Sequence, residues 1–177
     1  GASGALVSHV PEGVSLKAPL IVVPDVLTSL TDLAAFARER SRAKIVGITG
    51  SFGKTSLKEA LRHVLEKQGY TLATERSFNN HWGLPLTLSR LHKDHEYAVV
   101  EMGMNRPGEI AIHSRLTRPH IAVVTNTGNA HIGNMGTLEN IVKAKAEIFD
   151  GMVPQDSESS TGILWNDDAA FKTHKAL

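Results

Sequence analysis

Short apolar runs alternate with amphipathic segments along most of the chain. The apolar runs predict strands at 20–23, 44–49, 71–74, 97–102, 120–125 and 162–165. Between them, apolar residues recur at helical spacing and predict helices at 30–40, 55–68, 83–92, 107–116, 137–149 and 167–176. Strands that alternate with helices in this way are typical of βαβ units. The pattern therefore predicts an α/β fold with a mainly parallel sheet flanked by helices.

Composition favours a soluble domain with a small-molecule partner. At 177 residues the chain suits one substantial domain, and its formal net charge of +1 argues against nucleic acid as the partner. The absence of cysteine excludes disulfides and thiolate metal sites and is compatible with the cytoplasm. The apolar runs are far shorter than the ~20 residues of a membrane helix, so no membrane insertion is expected. Both ends resemble interrupted structure, which predicts a piece of a longer protein.

The stretch "IVGITGSFGKTSLK" (45–58) joins a predicted strand to a predicted helix through a glycine-rich turn. Such a turn aims backbone N–H groups and the positive end of a helix at one point, where an anion can bind. Lys54 can reach the β- and γ-phosphates of a nucleotide, and the Thr55 hydroxyl can bind Mg²⁺. The longer G-x-x-x-x-G-K-[ST] template would need its first glycine where Ile48 stands, so the loop is a shorter form that begins at Gly50. An ordinary turn with a solvated lysine is the alternative.

The helix after this turn has an apolar stripe that predicts which face meets the sheet. The stripe consists of Leu57, Ala60, Leu61, Val64 and Leu65. Gly69 follows as a stop signal, so the helix is expected to end just before it.

Two further candidates follow predicted strands, where ligands bind in open parallel sheets. Glu101 ends the run "YAVVE", and a carboxylate at that place can hold Mg²⁺ directly or through water. A buried glutamate that bonds only to backbone groups is the alternative. After the next strand, the loop 125–136 is rich in Gly and Asn and carries His131. A lone loop histidine is usually solvated, so His131 is a candidate by position alone.

The predicted helix over 137–149 contains a lysine on its apolar side. Lys145 lies in the same stripe as the apolar residues, whereas Lys143 and Glu147 are expected to face the other way. An unpaired buried ammonium costs several kcal/mol. Lys145 therefore either extends to the edge of the domain, or meets phosphate, a carboxylate or a modification that removes its charge. The apolar stripe consists of Leu138, Ile141, Val142, Ile148 and Phe149.

Five segments together resemble the Mur ligase family of peptidoglycan synthesis. They are "TGSFGKTS" (49–56), "ERSFNNHWGLPLTL" (75–88), "VVEMGMNRPGEI" (99–110), "TRPHIAVVTNTGNAHIGNMGT" (117–137) and "KAKAEIFDGM" (143–152). The likeness is strongest to the members that join D-Ala-D-Ala to UDP-MurNAc-tripeptide. It implies a P-loop NTPase-like central ATP-binding domain at 41–177, incomplete at its carboxyl end. It also implies that 1–40 is the tail of an amino-terminal UDP-substrate domain plus linker, with the carboxyl-terminal ligase domain absent.

The same resemblance implies a reaction and assigns residues to it. ATP would convert the peptide carboxylate to an acyl phosphate, with Mg²⁺ as cofactor, and the amine of D-Ala-D-Ala would displace phosphate. The implied catalytic residues are Lys54, Glu101, His131 and Lys145; the implied Mg²⁺ ligands are Thr55, Glu101, His131 and, if carbamylated, Lys145. The implied ATP-binding residues are Gly50, Ser51, Gly53, Lys54, Thr55 and Ser56, and the implied substrate-binding residues are Asn79, Asn80, Asn126 and Thr127. The isolated chain is expected to be a monomer that binds nucleotide with little ligation.

Other functions remain open on the sequence alone. Another Mur ligase or a folylpolyglutamate synthetase-like ligase would share the general layout. A P-loop kinase, a nucleotide switch or a non-catalytic nucleotide-binding module would share the phosphate loop. The inward Lys145 beside the His131 loop argues against the kinase and the switch. The sequence does not identify the third amino acid of the tripeptide.

Overall fold

The computed structural model describes residues 3–13, 19–128, 130, 132–153, 160–166 and 170. Within them the strands are β1 (Ala5–Val7), β2 (Leu20–Val22), β3 (Lys44–Thr49), β4 (Thr71–Ala73), β5 (Tyr97–Glu101), β6 (Ile121–Val124) and β7 (Thr161–Leu164). The helices are α1 (Val26–Arg40), α2 (Lys54–Leu65), α3 (Gly83–Ser89), α4 (Glu109–Thr117), α5 (Ile132–Met135) and α6 (Leu138–Ala146), and a 3₁₀ turn (Glu147–Gly151) follows α6. In this part of the chain no helix is long and apolar enough to cross a membrane.

The main sheet has five strands in the order β4-β5-β3-β6-β7, and all its neighbours pair in parallel. β1 and β2 form a separate two-stranded parallel sheet. The predicted α/β fold with a mainly parallel sheet is confirmed. β3 lies at the centre, so that Ile48 is opposite Glu101 of β5 on one side and Val123 of β6 on the other. The carboxyl ends of these three strands therefore meet at one edge of the sheet, which is where ligands bind in such folds.

The central strand is apolar along its length because both faces of the sheet are covered. Five of the six residues of β3 are buried, the pattern expected of a parallel strand between two layers of helices. On one face Ile45 belongs to the larger core cluster, together with residues of α1, α3, α4 and α6. On the other face Val46 and Ile48 form a smaller cluster that packs against α2.

The first helix begins earlier than the sequence predicted. α1 starts at Val26 rather than at residue 30, because the side chain of Asp25 accepts a hydrogen bond from Thr28 N at 2.6 Å and caps the helix. Ala34 and Ala37 of α1 are buried in the larger core cluster. The helix that follows the two-stranded sheet thus packs on the main body through small side chains.

Several other helix boundaries differ from the prediction. α3 ends at Ser89, and the predicted helix over 137–149 is divided into α6 and the 3₁₀ turn. α4 begins at Glu109 rather than at Pro107, because Gly108 has φ +86° and cannot continue a right-handed helix. The short helix α5 was not predicted. Apart from residue 170, the predicted helix over 167–176 lies outside the described residues.

The buried face of α2 also differs from the predicted stripe. Leu57, Leu61 and Leu65 pack against the sheet as predicted. Val64, however, is 57% exposed, whereas Lys58 is fully buried. The predicted stripe was wrong at Ala60 and Val64, which are both exposed, because the helix meets the sheet through a narrower face that includes Lys58.

Candidate functional site

The turn between β3 and α2 is shaped by two glycines. Gly50 has φ +148° and Gly53 has φ +79°, values that residues with a side chain rarely adopt. A Cβ atom on Gly50 would lie only 1.9 Å from Thr125 Oγ1. Gly53 precedes α2 and provides no side-chain cap, so the first N–H groups of the helix stay available at the turn. The backbone of residues 50–54 therefore has the form of an anion site.

The loop after β6 holds this turn in place. Asn126 bonds to both backbone groups of Phe52: its Oδ1 accepts from Phe52 N at 3.0 Å, and its Nδ2 donates to Phe52 O at 3.1 Å. Thr125 Oγ1 donates to the same carbonyl at 2.6 Å. Ser51 Oγ donates to Gly128 O at 3.0 Å and accepts from Gly128 N at 2.9 Å. The predicted ligand-binding residues Asn126 and Ser51 thus fix the turn through their own hydrogen bonds.

Glu101 joins three parts of the site. It is the last residue of β5 and is 1% exposed. Its Oε2 accepts from Thr55 Oγ1 of α2 at 3.0 Å, and its Oε1 accepts from Asn79 Nδ2 of the β4–α3 loop at 2.7 Å. The alternative of a glutamate bonded only to backbone groups is therefore wrong. The backbone N–H of Glu101 donates to Thr74 Oγ1 at 3.0 Å, which ties the end of β4 to the same point.

Lys54 begins α2 and is half-buried beside this carboxylate. Its Nζ donates to Gly50 O at 2.7 Å. Burial lowers the pKa of Lys54, and the negative charge of Glu101 acts in the opposite direction. Because burial disfavours the charged form of Lys54, an anion that approaches the ammonium would stabilise it. Ser56, another predicted ATP-binding residue, is exposed in the first turn of α2.

A cavity of about 130 Å³ opens where the strands end. Lys54 and Lys145 both line it, together with Asn79, Asn80 and Glu109. Lys145 is 1% exposed. The prediction that it faces inward is confirmed, and the alternative in which it extends to the edge of the domain is wrong. Two lysine ammonium groups on one small cavity favour an anionic ligand.

Asn79 and Asn80 are adjacent in the chain but make different contacts. Asn79 contacts Glu101, and its backbone oxygen accepts from Gly103 N at 2.8 Å. Asn80 Oδ1 accepts from the backbone N–H groups of Trp82 and Gly83, at 3.1 and 2.8 Å. Asn80 therefore shapes the start of α3, while Asn79 reaches the carboxylate.

Glu147 does not face away from the core as the sequence predicted. Its Oε1 accepts from Gly108 N at 2.7 Å and its Oε2 accepts from Ala111 N at 3.1 Å. The 3₁₀ turn after α6 rotates this side chain toward the start of α4, where a carboxylate is favoured by the helix dipole. Lys143 is exposed as predicted and lies 2.8 Å from Glu139.

The chemistry of the site fits a hard divalent cation. Within the described ranges no group of three or more His, Cys, Asp or Glu side chains could hold a metal, and His131 lies outside those ranges. Glu101 and Thr55 nevertheless offer a buried carboxylate and a hydroxyl in contact with each other. Oxygen atoms of these kinds, completed by water and phosphate, are the ligands that Mg²⁺ prefers. Thr127 is half-buried in the loop that holds the turn.

Lys58 is the main residue that sequence reasoning missed. It is fully buried on α2, one turn after Lys54. The signal was its spacing: Lys58 lies between Leu57 and Leu61, on the face that meets the sheet. A lysine in that place needs partners, and the sequence does not say which residues supply them.

Comparison with known families matches this architecture. Residues 48–177 match the Mur ligase middle domain. The UDP-N-acetylmuramoyl-tripeptide--D-alanyl-D-alanine ligase of Escherichia coli (strain K12) is 43% identical over 152 residues, which is 86% of this chain and 33% of that protein. The ligase of the same name from Bacillus subtilis (strain 168) is 43% identical over 133 residues, 75% of this chain and 29% of that protein. The chain spans about a third of the length of these relatives.

Solved structures agree with the sequence relatives. A crystal structure of MurF from Acinetobacter baumannii superposes with a TM-score of 0.85 at 34% identity, covering 99% of this chain and 37% of that one. MurF ligase from Thermotoga maritima in complex with ADP superposes with a TM-score of 0.79 at 29% identity, covering 98% of this chain and 39% of that one.

Proposed function

The chain belongs to the Mur ligase family, through its middle domain, and from this premise we propose that it is the ATP-binding centre of a ligase that joins D-Ala-D-Ala to UDP-MurNAc-tripeptide. The cavity lined by Lys54 and Lys145, beside the Glu101 carboxylate, carries the proposal. The names of the relatives state this pair of substrates, and one similar structure contains ADP. Because the chain spans about a third of those relatives, we assign ligation to the whole-length protein and nucleotide binding to this chain.

The proposed nucleotide site uses the turn and the first residues of α2. The N–H groups of Gly53 and of the first residues of α2 would face the β-phosphate, while Asn126 accepts from the N–H groups of Ser51 and Phe52. Lys54 would turn from Gly50 O to the β- and γ-phosphates, and Ser56 would lie beside the phosphates in the first turn of α2. We place the domain boundary near residue 41, with 1–40 belonging to a UDP-substrate domain.

Mg²⁺ would be held by Thr55, Glu101 and His131, and it would neutralise charge on the phosphates during transfer. Lys145 faces the same cavity, either as an ammonium for the transferring phosphoryl group or as a carbamate that would be a further ligand.

The reaction brings two anions together. A peptide carboxylate oxygen would bond to the γ-phosphorus while the bond to ADP breaks, and the uncharged amine of D-Ala-D-Ala would then attack the acyl carbon as phosphate leaves and a proton is lost. Lys54 would offset the repulsion between carboxylate and phosphate. Asn79 and Asn80 line the cavity and would contact the peptide, while Asn126 and Thr127 would act from the loop that supports the turn. No side-chain nucleophile is needed.

Titration of the chain with an unhydrolysable ATP analogue in Mg²⁺ tests the nucleotide site. We expect Lys54→Ala to weaken the affinity about 10- to 100-fold, because charge-assisted hydrogen bonds contribute about 1.5–3 kcal/mol. Lys67→Ala, which removes an exposed lysine just after α2, is the matched control and should bind as the wild type does. Equal affinities for the wild type and Lys54→Ala would refute the phosphate-loop assignment.

A phosphate-release assay with UDP-MurNAc-tripeptide, D-Ala-D-Ala, ATP and Mg²⁺ tests the division of labour. We propose that the isolated chain is a cytoplasmic monomer that gives little turnover. Substantial ligation by these 177 residues would contradict that division while leaving the nucleotide site intact.

A further inference from the structure

The ammonium of Lys58 ties α2 to the loop that follows β4. Its Nζ donates to Thr74 O at 2.7 Å and to Arg76 O at 3.1 Å, and it lies 2.9 Å from Glu59 Oε1. The side chain is fully buried. A buried ammonium is strongly unfavourable unless acceptors take its three protons, and these three oxygen atoms do so. Lys58 is therefore a buried link between two elements, and the residues that line the cavity do not include it.

The tied loop is the segment that positions Asn79. Thr74 uses its backbone oxygen for Lys58 and its Oγ1 for the N–H of Glu101, at 3.0 Å. Arg76 has φ +49°, a left-handed conformation that is uncommon for a residue with a side chain. This bend needs support, and Lys58 gives it by binding the Arg76 carbonyl. A few residues later, Asn79 Nδ2 donates to Glu101 Oε1 at 2.7 Å.

We propose that Lys58 is a positioning residue for the nucleotide site, which acts through the β4–α3 loop. By holding the carbonyls of Thr74 and Arg76, it sets the loop so that Asn79 orients the Glu101 carboxylate beside Thr55. The Thr55 hydroxyl lies one turn before Lys58 on the same helix, so α2 fixes both sides of the carboxylate. This inference rests on the proposed nucleotide-binding function.

The test separates the Mg²⁺-dependent part of nucleotide affinity from the rest. ADP is titrated into the chain in Mg²⁺ and again in EDTA, for the wild type, Lys58→Met and the control Lys67→Met. Outer partners of metal-binding groups typically contribute about 10- to 100-fold to metal affinity. We therefore expect Lys58→Met to weaken ADP binding about tenfold in Mg²⁺ and less than twofold in EDTA, because the turn 50–54 stays intact. Lys67→Met should change neither value.

A double-mutant cycle with Asn79→Ala tests the route. If Lys58 acts through Asn79, Lys58→Met should add less than twofold to the loss already caused by Asn79→Ala. The titration stoichiometry reports the folded fraction separately from affinity, and Lys58→Gln carries the same test if Lys58→Met does not fold. Equal losses in Mg²⁺ and EDTA, or fully multiplicative losses in the cycle, would overturn the positioning role and leave Lys58 as a stabilising residue. No ADP binding by the wild type in either buffer would refute the proposed function and this inference with it.

Discussion

Replacement of Gly50 by alanine should damage the turn between β3 and α2 in two separable ways. Gly50 has φ +148°, and holding a residue with a side chain in such a region costs about 1–3 kcal/mol. The new Cβ would also lie 1.9 Å from Thr125 Oγ1. That hydroxyl donates to Phe52 O at 2.6 Å, so moving it away would cost about 1 kcal/mol more for a lost hydrogen bond. We therefore expect Gly50→Ala to lower the free energy of unfolding by about 2–4 kcal/mol.

Gly53→Ala is the matched control in the same turn. Gly53 also has a positive φ, +79°, but a Cβ atom there would meet nothing within 4 Å. Only the left-handed backbone cost remains, about 1 kcal/mol. The difference between the two variants therefore contains the collision with the Thr125 hydroxyl and any extra backbone cost at Gly50.

Urea unfolding measures both costs. With an unfolding slope of about 2 kcal/mol per molar urea, Gly50→Ala should move the midpoint down by roughly 1–2 M. In a Thr125→Ala background the hydroxyl is gone, so the further cost of Gly50→Ala should be smaller than in the wild type. If Gly50→Ala costs no more than Gly53→Ala, or costs the same in both backgrounds, the argument for a turn fixed by the β6 loop fails.

Two further predictions concern the helix α4 and its surroundings. Burial lowers the pKa of His113 below its usual 6.5, so the unfolded chain binds a proton at a higher pH than the folded chain does. The free energy of unfolding should therefore be constant above about pH 7 and fall as the pH drops from 7 to 5. His113→Gln should flatten this decline in urea midpoints, while His63→Gln, at an exposed site, should leave it unchanged. A decline as steep in His113→Gln as in the wild type would contradict the assignment. Glu147→Ala removes two hydrogen bonds from the start of α4 and should lower the free energy of unfolding, measured by thermal unfolding, by about 1–2 kcal/mol. The control Glu139→Ala, at an exposed glutamate, should lower it by under about 0.5 kcal/mol. Equal losses would show that the Glu147 side chain does not stabilise the helix.

Features that depend on local pattern could be predicted from the sequence. The strand positions follow from apolar runs, and the inward direction of Lys145 follows from helical spacing, because both are set by residues close along the chain. Glu101 was placed at the end of its strand for the same reason. The helix boundaries were less accurate. Asp25 and Gly108 are both recognisable signals of a helix start, but the apolar pattern around each of them indicated a different first residue.

Features that depend on partners far along the chain could not be predicted. Lys58 was missed because its acceptors are the carbonyls of Thr74 and Arg76, 16 and 18 residues away. The family resemblance gave Asn126 a substrate-binding role, and the sequence could not show that its amide also bonds to Phe52, 74 residues earlier. In both cases the side chain is fixed by backbone groups of another loop, and backbone groups leave no residue-specific signal.

The three lysines around the site illustrate how charge is arranged before a ligand binds. The ammonium of Lys58 already bonds to two carbonyls and a carboxylate. Burial lowers the pKa of Lys54, and the negative charge of Glu101 offsets this effect only in part. Lys145 shares the cavity with Lys54. A nucleotide phosphate that enters this cavity would therefore be attracted more strongly by Lys54 and Lys145, which line it, than by Lys58, which does not. The chain's net charge of +1 hides this arrangement, because affinity for an anion depends on where the positive charges are buried and on how completely their partners compensate them.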